Sequence, residues 1–72
     1  NKQYMQNAGY TGASTYFNGL YSGIGVIDED AFEGLVGMQT INVGYNIIRV
    51  LGINPKYLTP VYSFNLTFFE YI

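Results

Sequence analysis

Between Val61 and Ile72 the chain alternates, with Tyr62, Phe64, Leu66 and Phe68 on one side and Ser63, Asn65 and Thr67 on the other. Period two is the signature of a half-buried β-strand. Ile41-Asn42-Val43-Gly44-Tyr45-Asn46-Ile47 repeats the pattern and continues through Ile48-Arg49-Val50-Leu51 with both faces apolar. This predicts a second strand over 40–51, because a helix there would be apolar around its whole circumference. Gly52-Ile53-Asn54-Pro55-Lys56 is turn chemistry, and Thr59-Pro60 marks the entry to the last strand. Paired as an antiparallel hairpin, the two segments match faces in one register. It sets Ile47 opposite Phe64, Tyr45 opposite Leu66 and Val43 opposite Phe68, with Asn46 opposite Asn65 behind them.

Upstream the pattern changes. Residues 1–12 are polar, rich in amides and spaced by Gly9 and Gly12, and they read as an extended arm. Ala13, Tyr16, Phe17, Leu20, Tyr21 and Ile24 fall at helical spacing, which predicts a short helix ending near Tyr21; Gly19, Gly23 and Gly25 argue for a glycine-rich extended segment instead. Asp28-Glu29-Asp30 followed by Phe32, Leu35 and Val36 has the form of a helix start, with acids at the positive end of the dipole. A helix of two to three turns ending near Met38 is expected from it. The fold class that results is α+β: an extended arm (1–12), a short helical or glycine-rich segment (13–39) and a C-terminal antiparallel β-hairpin (40–72), together one small domain or subunit spanning 1–72. No internal repeat stands out at the periods typical of solenoids and propellers.

Composition decides what could stabilise such a chain. Seventy-two residues support only a marginal core, and small chains usually add disulfides, a metal or a partner. The absence of cysteine and histidine removes disulfides and the common soft-metal ligands. A partner is the remaining source. Charged residues are 11% of the chain against roughly 25% in an average domain, so much of the surface is expected to be covered. Lys2, Arg49 and Lys56 are the only cations in a chain of net charge −2, which argues against nucleic acid and against anionic membrane surfaces. A start at Asn1 rather than Met fits a processed chain or a piece of a longer one.

Little in the sequence carries chemistry. Asp28, Glu29, Asp30 and Glu33 offer hard oxygen ligands, but they lack the glycine and the later glutamate of a calcium loop, and helix capping accounts for them without a metal. Gly19, Gly23 and Gly25 are not spaced as a phosphate loop. Without His or Cys, a Ser or Thr nucleophile has no usual base, and Lys56 stands in a turn where it is solvated. Asn65-Leu66-Thr67 matches a glycosylation sequon, at the frequency chance would give.

These readings point to a non-enzymatic structural subunit without catalytic residues, cofactor or metal. It is expected to dock into a larger assembly such as a virion, tail or extracellular filament through its hairpin edge and N-terminal arm, with other protein subunits as partners. Val43, Tyr45, Ile47, Phe64, Leu66, Phe68, Phe69 and Tyr71 are the expected packing and interface residues. Two alternatives remain: a membrane-embedded accessory subunit or β-barrel hairpin, suggested by the aromatic strand end, and a small secreted binding module. An extracellular or virion location is favoured.

Overall fold

The computed structural model describes residues 1–67, so the expectations placed on Phe68, Phe69 and Tyr71 lie outside the described residues. Its first element is not an arm but a helix, α1 (Lys2–Asn7). Asn1 caps it by accepting the Tyr4 N–H at 2.8 Å. A helix of 6 residues is too short to persist by itself. Tertiary contacts hold it: Met5 is only 3% exposed, and Lys2 Nζ lies 3.3 Å from Glu33 Oε1. Its one apolar anchor, among polar neighbours, gives no helical periodicity to read.

Among the described residues five short strands follow: β1 (Tyr16–Asn18), β2 (Val26–Ile27), β3 (Thr40–Asn42), β4 (Val50–Leu51) and β5 (Ser63–Asn65). They form two sheets, ordered β1-β3-β5 and β2-β4, and every pairing is parallel. The antiparallel hairpin is therefore replaced by a different architecture. Phe64 pairs with Ile41 rather than Ile47, and Asn65 with Asn42 rather than Asn46. Alternation records which side chains face inward, but it is blind to strand direction.

The registers reveal what joins the strands. Tyr16 pairs with Thr40, Val26 with Val50, and Thr40 in turn with Ser63. The step along the chain from each strand to its partner is nearly constant, and its length falls in the range of solenoid repeats. The chain thus winds as stacked coils, the first over residues 14–37, the second over 38–60 and the third over 61–67. Read on this period, Phe17-x-Gly19-x-x-Ser22-x-Ile24 lies over Ile41-x-Val43-x-x-Asn46-x-Ile48, and Phe64-x-Leu66 follows. An internal repeat is present after all. Glycine and serine at two first-coil positions where the second has valine and asparagine hide it from a hydrophobic scan.

Neither expected helix forms in the middle of the chain. Phe17 lies at the centre of β1, and 28–38 is a run of tight turns. There, Ala31, Glu33, Leu35 and Met38 each donate to the carbonyl three residues back, at 3.0 to 3.2 Å. Gly34, with φ +81°, interrupts any continuous helix. Across the second coil the corresponding arc is a single 3-10 turn, Pro55–Tyr57, capped by Asn54 Oδ1 accepting from the Lys56 N–H at 3.1 Å.

The core runs along the axis of the stack. Ile41 and Met38 are fully buried, and Val43, Ile48, Ile27 and Leu35 nearly so. Phe17 packs edge-on against Phe32 and Tyr10, at ring separations of 6.0 and 5.3 Å. Together with Met5 these rings close the first-coil end. In the third coil Val61, Phe64 and Leu66 are only half-buried.

Candidate functional site

Three features of the coil stack stand out among the described residues: a polar row on the strands, a tyrosine pair beside it and an edge of β5 with no paired strand.

The outward positions of β1, β3 and β5 form two columns, Tyr16–Thr40–Ser63 and Asn18–Asn42–Asn65. None is charged. The asparagines brace the turns after the strands: Asn18 Oδ1 accepts from the Leu20 N–H at 3.2 Å, Asn42 Oδ1 from Gly44 at 3.3 Å and Asn65 Oδ1 from Thr67 at 2.9 Å. Asn65 Oδ1 also accepts from the Thr67 hydroxyl. Asn65 Nδ2 donates across the coils to Asn42 Oδ1 at 3.1 Å. The sequon asparagine is thus half-buried and tied into this ladder through both ends of its amide.

Asn46 has a separate task. It is the one buried polar residue among those described, at 4% exposure. Its Oδ1 accepts from the Ser22 and Ile24 N–H groups at 3.0 and 2.9 Å. Its Nδ2 donates to the carbonyls of Gly19, Val43 and Gly44 at 2.7 to 3.1 Å. One amide therefore satisfies the turn of the first coil and fastens the second to it. Ser22, at the same place in the first coil, turns back to the Leu20 carbonyl of its own coil at 3.0 Å.

Tyr21 and Tyr45 also occupy equivalent places. Both have positive φ, 51° and 58°. A side chain in that region costs roughly 1–2 kcal/mol that glycine would not incur. Their rings are stacked, 4.4 Å apart and 15° from parallel. They are nonetheless 72% and 40% exposed. Desolvation, with the charge and the hydroxyl hydrogen bond of Tyr21, raises the Tyr45 phenol above the usual tyrosine value.

That shift has a checkable sign. The folded chain favours neutral Tyr45, so the pair's contribution is fully present below the ordinary tyrosine pKa of ~10 and is lost as pH rises through the higher folded value. A phenolate absorbance titration is expected to show one tyrosine ionising after the others, and Tyr21→Phe should move it back toward them. An unchanged late phase in Tyr21→Phe would remove the pairing as its cause.

Between α1 and the first coil runs a groove of about 480 Å³, whose lining includes Tyr4, Met5, Phe17, Asn18, Ser22 and Ile27. At the other end of the stack, β5 is paired on one side only among the described residues.

The expected interface residues scatter over these features. Val43 is buried, Phe64 and Leu66 are half-buried in the third coil, and Tyr45 and Ile47 are exposed. The positive φ at Tyr45 breaks the alternation, so the inward set is Ile41, Val43, Asn46 and Ile48. Glu33 pairs with Lys2, and among the described residues no three acidic groups converge as a metal site. Among them, too, no helix is long and apolar enough to cross a membrane. Sequence reading missed Asn46 and the tyrosine pair; the recurrence of Tyr21 and Tyr45 at the coil period was the available signal. Comparison of the chain with protein-family models, with curated proteins and with solved structures returned no match.

Proposed function

We propose that this chain is a non-enzymatic assembly segment that meets a neighbouring protein strand along the free edge of β5. The observation that carries the reading is the inequality of the two ends of the stack. Phe17 and Ile41 are buried at their coil positions, whereas Phe64 at the equivalent place is half-buried. α1 covers the first coil, whereas among the described residues β5 has a neighbour on one side only. From Val61 to Thr67 no residue is charged, so none of the usual charged guards against edge pairing is present.

The spacing Met38-x-x-Ile41-x-Val43-x-x-Asn46-x-Ile48 follows L-x-x-L-x-L-x-x-N-x-L, the pattern of leucine-rich repeats. In such stacks each coil buries its face only against its neighbours, so a coil whose inward residues are half-buried calls for cover. Main-chain hydrogen bonds from an added strand would supply affinity, and Phe64 and Leu66 would supply apolar contact.

Sedimentation of the purified chain tests this. At micromolar concentration it is expected to run above its monomer mass of 8.1 kDa, and Tyr62→Lys with Ser63→Lys should return it to monomer without loss of cooperative unfolding. A wild-type chain that stays monomeric and unfolds cooperatively would sink the reading.

A further inference from the structure

We propose that Asn18-Gly19 is a site of spontaneous covalent modification, at which the asparagine side chain closes onto the following amide and reopens as aspartyl or isoaspartyl, and that the pairing of β1 with β3 sets its rate. The site lies at the junction of the first two coils and does not depend on pairing at β5.

Asn18 alone among the asparagines of the chain precedes glycine; the others precede Lys2, Ala8, Val43, Ile47, Pro55 and Leu66. Without a Cβ, glycine leaves its amide nitrogen open to the preceding side chain. Packing imposes that glycine. A Cβ at residue 19 would stand 2.8 Å from Phe17 Cε2 and 3.0 Å from Ile24 Cδ1. The Phe17 ring has little room to retreat, because Tyr10 and Phe32 meet it edge-on. One coil on, the smaller Ile41 takes the place of Phe17, and Val43 that of Gly19. The first coil admits a ring by giving up a side chain at residue 19, and the reactive dipeptide is the result.

The reaction needs only water and hydroxide. Hydroxide removes the Gly19 amide proton, and the nitrogen attacks Asn18 Cγ. The new C–N bond closes an imide ring as the Cγ–Nδ2 bond breaks, and Nδ2 leaves as ammonia with a proton from water. Water then adds to either imide carbonyl. Opening at Cγ leaves an aspartyl residue, whereas opening at the main-chain carbonyl routes the chain through the side chain as isoaspartyl.

In the folded chain the nucleophile is occupied. The Gly19 N–H donates to the Asn42 carbonyl at 2.7 Å, and Gly19 is buried although Asn18 is exposed. Conversion therefore waits on local opening of the first coil from the second. An isoaspartyl linkage adds a methylene to the main chain between Phe17 and Gly19. That displaces the Gly19 N–H from Asn42, and the Gly19 carbonyl from Asn46 Nδ2, which donates to it at 2.7 Å. Each such conversion loosens the two coils irreversibly. The aspartyl product keeps the spacing and an acceptor for the Leu20 N–H.

The test is peptide mapping by mass spectrometry of the full chain aged at mildly alkaline pH, in buffer and in concentrated urea, with amide exchange at Gly19 followed alongside. Asn18 is expected to convert before every other asparagine in both, and at least about tenfold more slowly in buffer than in urea. Low urea concentrations that speed exchange at Gly19 should speed conversion by the same factor. Asn18→Gln, whose imide ring would be one carbon larger, should stop the reaction there and leave the unfolding midpoint close to wild type. The isoaspartyl chain, separated by chromatography, should unfold at lower urea than the aspartyl chain. Absence of conversion at Asn18 in buffer, or earlier conversion elsewhere, overturns the site. Equal rates in buffer and urea overturn the control by strand pairing, and an isoaspartyl chain as stable as wild type overturns the loosening.

Discussion

Alanine at Asn46 is expected to destabilise the chain by about 3–5 kcal/mol, enough to leave a domain of this size largely unfolded at room temperature. The magnitude follows from what stays behind. The Ser22 and Ile24 N–H groups lose their acceptor, and the carbonyls of Gly19, Val43 and Gly44 lose a shared donor. Each buried polar group left alone costs about 1–3 kcal/mol, and the turns relax enough to recover part of the sum. Aspartate is the more discriminating replacement. It keeps an acceptor for the two N–H groups but sets a carboxylate against three carbonyl oxygens. Asn46→Asp should therefore be markedly more stable at pH values low enough to protonate it, since the neutral acid donates once. Urea melts of the three chains at neutral and acidic pH would measure this. A small loss, below about 1 kcal/mol in Asn46→Ala, would mean that the clamp between coils is not what holds the turn.

Ile41→Ala should cost a comparable amount, about 2–5 kcal/mol, for an apolar rather than a polar reason. Ile41 is wholly buried at the middle of β3, the strand paired on both sides. Phe17 and Phe64 flank it in register, one on each neighbouring strand. The cavity is therefore enclosed on both sides, and neighbouring coils cannot close over it without shifting their main-chain pairing. Ile47→Ala supplies the contrast. In the expected hairpin Ile47 faced Phe64, but here it is 42% exposed. Its truncation should cost less than about 1 kcal/mol. Denaturant midpoints for the two variants separate the architectures, and a larger loss at Ile47 than at Ile41 would speak for the hairpin.

Which parts of this were legible in the sequence is a physical matter. Ile41 and Val43 inward, with Asn42 outward, could be read from alternation, because side-chain direction in a strand is local. The partner of that strand could not. Parallel and antiparallel neighbours impose the same period on a single strand, and the presence of turn residues at 52–56 made the hairpin the shorter connection. What distinguishes the coil is the distance between equivalent residues. That signal is carried by Phe17 over Ile41 and Tyr21 over Tyr45, but it is diluted by Gly19 over Val43 and Ser22 over Asn46. The helix at Lys2–Asn7 fell below detection because Met5 alone anchors it. The candidate site was less visible still. Asn46 reads as one more polar residue on an alternating strand, and its role exists only once the first coil lies beneath it.

The offset between paired strands also says how this chain would respond to changes in its length. The step from Tyr16 to Thr40 equals that from Val26 to Val50, whereas the step from Thr40 to Ser63 is one position shorter. The missing residue has been absorbed in the arc containing Pro55–Tyr57, without a slip in the register of Ile41 against Phe64. Single insertions in that arc should be silent, whereas one inside 40–42 would exchange inward and outward positions over the rest of that strand. Duplicating a whole turn of the winding disturbs neither row. The architecture is therefore extensible by copying, and its gene could lengthen or shorten it one coil at a time while keeping each junction chemically the same.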